Sequence, residues 1–178
     1  DTTYPMIATA RLSGMMLDYY KLLSLGIGGL RRQIMAKLDT DPNNEFLQSS
    51  LSCLDIFVRS ARHLKNEARG QLETAGPDRA KDLNVIISSL SHIEDKAPET
   101  FHQALQLFWL YALLAGVINY GRLDDILGPY LAKDLADGSI SEDEAYRYMR
   151  SLWTLIDNRR TTVNGRIIVG GRGRRNPK

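Results

Sequence analysis

Cysteine is almost absent from this chain of 178 residues, and its one thiol, Cys53, excludes several classes of protein. A single cysteine can form neither an internal disulfide nor a zinc site built from thiolates, so a disulfide-stabilised secreted module and a thiolate metal module are both excluded. The three histidines, His63, His92 and His102, also lack the spacing of metal ligands. We therefore expect no metal site, and a reducing cytoplasm as the location.

Long apolar runs and an excess of one charge are missing as well. The most apolar segment, residues 104–117, is interrupted by Gln106 and is shorter than the roughly 20 residues that cross a bilayer. The net charge of +2 is too small for a dedicated nucleic-acid or membrane-surface binder, although the last twenty residues hold seven basic residues and no acidic one. With 43% hydrophobic and 25% charged residues, the chain fits one globular domain over residues 1–178, with no nucleic-acid and no membrane partner.

Helical periodicity is the dominant pattern that is present. Apolar residues recur at steps of three and four in six segments, which predict helices at residues 18–40, 47–72, 78–93, 98–116, 126–135 and 142–156. Pro98 is expected in the first turn of the fourth helix, and Ser141 with Glu144 forms a capping box before the sixth. Residues 117–121 predict a short strand or an extended loop, and residues 167–169 predict a buried strand after a turn at Asn164-Gly165. The fold class is thus mainly α with one or two short strands: a helical region over 15–158, then a strand and a basic loop over 164–178.

Three glycines interrupt the apolar pattern of the first helix. Gly26, Gly28 and Gly29 each cost about 1 kcal/mol relative to alanine inside a helix, so a close approach of another backbone has to explain them. A phosphate-binding loop is the alternative, but no strand precedes these glycines and no Lys-Ser or Lys-Thr pair follows them. We expect a tight helix crossing at this point.

Two charged residues follow directly after the most apolar helix. The segment Asn119-Tyr120-Gly121-Arg122-Leu123-Asp124 places opposite charges beside a buried wall, which is costly unless the charges are paired or bind a ligand. Arg122 and Asp124 therefore mark a candidate site. The alternative is an ion pair that caps a helix or braces the wall.

Residues 97–158 contain an ordered run of short motifs. In chain order these are Pro98, Thr100-Phe101, Ala104-Leu105-Gln106-Leu107, Trp109, Gly121-Arg122-Leu123-Asp124, Pro129-Tyr130, Lys133-Asp134-Leu135, Asp137-Gly138, Ser141 to Ala145, and Leu152-Trp153. The run resembles, in order and spacing, the N-terminal half of the pyruvate formate-lyase domain of glycyl radical enzymes, a family that includes diol dehydratases and choline trimethylamine-lyase. Residues 25–30 and 53–68 resemble upstream helices of that domain.

This resemblance implies a fold and a chemistry. The fold is a ten-stranded α/β barrel, to which this chain contributes helices and the first strands. The chemistry is radical cleavage of a C–C, C–O or C–N bond in a small molecule, of the formate C-acetyltransferase type or the dehydratase and lyase type. A glycyl radical regenerates a cysteine thiyl in such enzymes, a radical S-adenosylmethionine activating enzyme installs the radical, and a second identical subunit completes a homodimer.

Neither the cysteine loop nor the radical-glycine motif of the family is found in this sequence. We therefore expect an internal fragment that contains no catalytic residue, holds no cofactor and is inactive by itself. Cys53, flanked by Leu51 and Leu54 in a helix, is predicted to be a structural thiol in the core or at its flank.

The family resemblance also bears on the candidate site. It places Asp124 at a substrate pocket and thereby implies that Arg122, Asp124, Asn119 and Tyr120 are candidate substrate-binding residues. The histidine or tyrosine that relatives carry eight residues earlier is Gly116 here, so Asn119 and Tyr120 are expected to replace its contacts. The competing hypothesis is a free-standing helical interaction module whose basic C-terminal tail binds an acidic partner.

Overall fold

The computed structural model describes residues 16–160 and 166–170 of the chain. In these residues the elements follow in the order α1 (Tyr19–Leu38), α2 (Glu45–Leu72), α3 (Pro77–Ile93), α4 (Phe101–Leu114), β1 (Asn119–Arg122), α5 (Leu123–Ala136), α6 (Glu142–Asn158) and β2 (Arg166–Ile168). The prediction of a mainly helical chain with one or two short strands is confirmed. None of these helices is long and apolar enough to cross a membrane.

Contacts divide the chain into two compact units. Among the described residues, one consists of Tyr20–Leu110, and the other joins residues 16–19 with residues 111–160 and 166–170. The prediction of a single domain over residues 1–178 stays a prediction.

A pair of packed helices, α2 and α3, dominates the first unit. Asn44 caps α2, because its side-chain oxygen accepts from the Leu47 N–H at 3.1 Å, and Pro77 opens α3 at a position where no helical N–H partner is needed. Both helices bury one stripe of apolar side chains: Leu54, Phe57, Ala61, Ala68, Leu83, Leu90 and Ile93. The apolar periodicity therefore predicted both helices correctly.

Helix α1 has a break at Gly26, whose backbone angles of φ 63° and ψ 179° are not helical. A Cβ atom on Gly26 would lie 2.5 Å from the Ala97 nitrogen and 2.6 Å from the Lys96 carbonyl oxygen. Two residues further on, the Gly28 N–H donates to the Asp95 carbonyl at 2.9 Å. The predicted close backbone approach is confirmed for Gly26 and Gly28, whereas a Cβ atom on Gly29 would meet the Leu25 side chain of the same helix. The predicted helix crossing is wrong. The partner is the turn after α3, whose carbonyls need donors once that helix has ended.

Helix α4 begins later than its sequence pattern predicted. Pro98 lies before the helix and not in its first turn, so that prediction is wrong. The helix starts at Phe101 because Thr100 precedes it as a cap: the Gln103 N–H donates to the Thr100 hydroxyl at 3.3 Å. The Gln103 side chain in turn accepts from the backbone N–H groups of Glu99 and Thr100. This reciprocal arrangement is a capping box of the Thr-x-x-Gln type.

The second unit contains a two-stranded parallel sheet. Gly121 is paired with Ile167 and Arg122 with Ile168, and an irregularity in register falls between Asn119 and Gly121. Both predicted strands are present, but the prediction that β2 is buried is wrong: Ile168 is 43% exposed and Val169 is 69% exposed. In the described residues β2 has a partner strand on one side only, so its apolar side chains stay accessible.

The capping box predicted before α6 is confirmed. The Ser141 hydroxyl accepts from the Glu144 N–H at 3.2 Å, and the Glu144 carboxylate accepts from the Ser141 N–H at 2.9 Å. The predicted turn at Asn164-Gly165, Gly171, Gly173 and most of the basic loop lie outside the described residues.

Candidate functional site

The candidate site lies where β1 passes into α5. Arg122 is the last residue of the strand and Asp124 is the second residue of the helix, so the two side chains leave the backbone within one turn. Gly121, just before them, has a φ of +67°, and a Cβ atom there would lie 2.6 Å from the Met16 sulfur. Only glycine fits this bend without strain, and the bend sets the directions in which Arg122 and Asp124 leave the strand.

Both charged side chains bind the backbone of Gly170, two residues after β2. The Arg122 Nη2 atom donates to the Gly170 carbonyl at 3.0 Å, and the Gly170 N–H donates to Asp124 Oδ2 at 2.8 Å. Arg122 Nη2 lies 3.5 Å from the same Asp124 oxygen. The three residues form a closed ring in which an ion pair clamps one glycine, whose φ of +74° is left-handed. We call this ring the glycine clamp.

The glycine clamp keeps Asp124 ionised. Burial raises the pKa of its carboxyl, but hydrogen bonds from the Gly170 N–H and from Arg122, together with the positive charge of Arg122, outweigh that effect and hold the pKa below its usual range. Two buried polar atoms of the clamp, Asp124 Oδ1 and Arg122 Nε, make no hydrogen bond within the described residues. A buried polar atom left without a partner costs about 1–3 kcal/mol, which makes this pair of atoms the exception in an otherwise bonded cluster.

Asn119 and Tyr120 have other partners. The Asn119 side-chain oxygen accepts from the Gly121 N–H at 3.4 Å, and the Tyr120 hydroxyl accepts from Arg159 Nη1 at 3.0 Å. The structure thus brings Arg122 and Asp124 together and gives Asn119 and Tyr120 contacts of their own. A substrate-binding role for all four stays a prediction.

Sequence reasoning missed Arg159, which follows α6. Its Nη1 atom also donates to the Val117 carbonyl at 2.6 Å, so one guanidinium binds the chain at two points near β1. The only local signal is a basic residue just beyond a helix whose last turn contains none. Such a residue is expected to bind the carbonyls of its own helix, and nothing local predicts a partner 39 residues away.

The family model described as pyruvate formate lyase-like matches residues 2–173. The chain belongs to this family. The isethionate sulfite-lyase of Nitratidesulfovibrio vulgaris is 25% identical over 153 residues, which make up 76% of this chain and 18% of that enzyme. The resemblance to glycyl radical enzymes is confirmed.

Two solved structures share the fold of this pyruvate formate lyase-like chain. One, concerned with 1,2-propanediol dehydration in Roseburia inulinivorans, has a TM-score of 0.74 at 22% identity and matches 80% of this chain and 19% of its own. The other is a glycyl radical enzyme from Archaeoglobus fulgidus, with a TM-score of 0.67 at 21% identity over 91% of this chain and 22% of its own. The chain therefore spans about a fifth of the length of the relatives it matches. The ten-stranded barrel stays a prediction.

Cys53 is the single thiol of the sequence. It lies on α2 as predicted, but it is exposed, so the prediction of a thiol in or beside the core is wrong in its burial. The described residues contain no group of three or more histidine, cysteine, aspartate or glutamate side chains that could hold a metal ion.

Proposed function

We propose that this chain is an internal segment of a glycyl radical enzyme that cleaves a bond to carbon in a small molecule, in a lyase or dehydratase reaction. The family match over residues 2–173 supports the enzyme class. The names of the relatives support the reaction type, since one is a sulfite-lyase and one structure concerns the dehydration of a diol.

Asp124 is the residue on which the proposed site depends. Its Oδ2 atom is used by the Gly170 N–H and by Arg122, while the buried Oδ1 atom has no hydrogen bond within the described residues. An ionised carboxylate oxygen of this kind accepts a hydrogen bond from a hydroxyl or ammonium group of a ligand, and desolvation strengthens that bond. We propose that Arg122 and Asp124 border the substrate cavity and that Asn119 and Tyr120 supply further polar contacts from β1.

The remaining chemistry belongs to parts of the enzyme other than these residues. When present, the glycyl radical supplies hydrogen abstraction through a cysteine, and we propose that this cysteine is not Cys53, which lies on helix α2 without the loop motif of the family. The proposed role of this chain is to bind and orient substrate. The ten-stranded barrel, the activating enzyme and the homodimer are parts of the same proposal.

The alternative, a free-standing interaction module, is not favoured. It requires that the amphipathic helices only pack against one another, and it gives no reason for a match to an enzyme family along residues 2–173.

The test is Asp124→Asn in the complete enzyme that contains this sequence. The substitution keeps the shape of the side chain and removes its charge, so a bound substrate loses a charge-assisted hydrogen bond. We expect kcat/KM to fall about 10- to 100-fold, the equivalent of the 1.5–3 kcal/mol of such a bond, with little change in melting temperature.

Asp143→Asn is the matched control, because Asp143 is an exposed carboxylate in the first turn of α6. It should leave turnover unchanged. If Asp124→Asn lowers the melting temperature while kinetics stay normal, the glycine clamp is a structural brace and the proposed binding role is wrong.

A further inference from the structure

Arg159 binds one residue of the proposed site, Tyr120, and the backbone of Val117 just before β1. Its Nη1 atom donates to the Val117 carbonyl at 2.6 Å and to the Tyr120 hydroxyl at 3.0 Å. Val117 and Tyr120 are each only 1% exposed, so both bonds lie where water cannot easily replace them. A guanidinium is suited to this task, because its fixed geometry presents several N–H donors and it stays charged.

The first of these contacts lies two residues before β1, and the second lies within the strand. The next contact along the chain is the Arg166 N–H, which donates to the Ile118 carbonyl at 3.0 Å and starts the pairing with β2. At the far end of the strand, the glycine clamp ties Arg122 and Asp124 to Gly170. The strand is therefore held at its beginning by Arg159 and at its end by the clamp.

A four-residue strand transmits a shift at one end to the other. The register between β1 and β2 already contains an irregularity between Asn119 and Gly121, and Gly121 occupies a left-handed conformation. A strand with such a bend has fewer regular ladder bonds to hold it, so the contacts that flank it contribute more to its position. Without Arg159, the buried Val117 carbonyl loses its guanidinium donor, and residues 117–120 are free to move.

We infer that Arg159 is a positioning residue of the proposed site: by holding Val117 and Tyr120, it fixes the strand that places Arg122 and Asp124 on Gly170. The statement that this site binds substrate rests on the proposed function, whereas the contacts of Arg159 with Val117 and Tyr120 do not depend on it. Arg159 binds no substrate in this account, and it acts only through β1.

The position of Asp124 can be measured without substrate. In the chain of 178 residues, titration of the Asp124 carboxyl by nuclear magnetic resonance reports whether the clamp is closed, because the clamp holds the pKa below its usual range. Arg159→Met keeps much of the side-chain length and removes the charge. We expect the pKa of Asp124 to rise toward its ordinary value and amide exchange at Gly170 to become about tenfold faster, as for the loss of one buried hydrogen bond.

Two further variants separate positioning from general loss of stability. Arg159→Lys keeps a positive charge that can donate to either the Val117 carbonyl or the Tyr120 hydroxyl. The pKa of Asp124 should therefore rise less in Arg159→Lys than in Arg159→Met. Arg150→Met is the matched control, since Arg150 is an exposed arginine of α6, and it should change neither the Asp124 titration nor the exchange at Gly170. An unchanged Asp124 pKa in folded Arg159→Met, or faster exchange spread evenly over the chain with no recovery in Arg159→Lys, would overturn the inference.

The variants Arg159→Met and Asp124→Asn together separate this inference from the proposed function. If Arg159→Met shifts the Asp124 titration but Asp124→Asn leaves turnover of the complete enzyme intact, positioning stands and the proposed binding role fails. If Asp124→Asn abolishes turnover but Arg159→Met leaves the titration unchanged, the binding role stands and the inference about Arg159 fails.

Discussion

Gly26 is the position at which one added methyl group tests the packing of the first unit most directly. Its backbone, at φ 63° and ψ 179°, lies in a region open almost only to glycine, so an alanine there is strained by about 1–3 kcal/mol before any contact is counted. The new Cβ atom would also lie 2.5 Å from the Ala97 nitrogen and 2.6 Å from the Lys96 carbonyl oxygen. Carbon atoms in contact prefer a separation of about 3.5 Å or more, so the overlap is roughly 1 Å, and it involves main chain that cannot rotate away.

The expected destabilisation follows from these two costs. Overpacking of a well-filled interior costs about 1–3 kcal/mol, so the sum for Gly26→Ala is roughly 2–6 kcal/mol. At about 2–4 °C per kcal/mol for a chain of this size, the melting temperature should fall by roughly 10 °C. Gly70→Ala has the opposite expectation: Gly70 lies inside α2 with nothing within 4 Å of an added Cβ, so alanine should stabilise the helix by about 0.5–1 kcal/mol.

Urea unfolding of the 178-residue chain, followed by circular dichroism, measures both variants against the unchanged chain. The midpoint should move down for Gly26→Ala and up for Gly70→Ala, with similar slopes. If Gly26→Ala unfolds within about 0.5 kcal/mol of the original chain, the turn after α3 does not press on α1, and the explanation of the glycines is refuted. Equal destabilisation by both substitutions would show instead that the chain tolerates no glycine replacement, whatever the local geometry.

Three further predictions concern reactivity and pH. Cys53 is exposed, so it should react with thiol reagents about as fast as in unfolded chain, and Cys53→Ala should cost less than about 0.5 kcal/mol; slow labelling would mean that the thiol is covered. Burial lowers the pKa of His102 to about 4, and the negative charge of Asp82 opposes this shift. Between about pH 6.5 and pH 4 the unfolded chain therefore binds more protons than the folded chain. The free energy of unfolding should be highest above that window and should fall by up to about 3 kcal/mol as pH drops through it. His102→Asn should flatten this pH dependence, and replacement of the exposed His63 should leave it unchanged. The chain incubated anaerobically with a radical S-adenosylmethionine activating enzyme should show no glycyl doublet by electron paramagnetic resonance, and a doublet from one of its glycines would contradict the proposal that the chain is inactive by itself.

The helices could be predicted because their signals are local. The capping box of Ser141 and Glu144 is complete within four residues, and its hydrogen bonds are the ones that the sequence predicted. The start of α4 was misplaced for an equally local reason, since Thr100 and Gln103 form a capping box that outweighs the usual preference of Pro98 for a first turn.

Burial was harder to predict than helix position. Cys53 lies between Leu51 and Leu54 in sequence, but the buried stripe of α2 passes through Leu54 and Phe57, and residue 53 falls about 100° from residue 54 around the helix. Lys65 is the opposite case: its side chain is only 13% exposed and pairs with Glu94, while the neighbouring Leu64 is 43% exposed. A partly buried ion pair can therefore take a place on the inward face that apolar periodicity assigns to leucine.

The candidate site could be predicted in part, and the missing part is non-local. A charged pair after a buried helix pointed to Arg122 and Asp124, but their common partner is the backbone of Gly170, 46 residues beyond Asp124. A backbone group has no side-chain identity that a pattern can recognise, so the sequence could not predict the glycine clamp.

The same geometry separates the two hypotheses for Asp124. A brace needs only the Oδ2 atom that holds Gly170, whereas a binding residue also needs the buried Oδ1 atom that no described group satisfies. Leaving such an atom without a hydrogen bond costs about 1–3 kcal/mol, and the proposed binding role would supply its partner, a ligand that donates a hydrogen bond; the Asp124→Asn substitution tests that proposal.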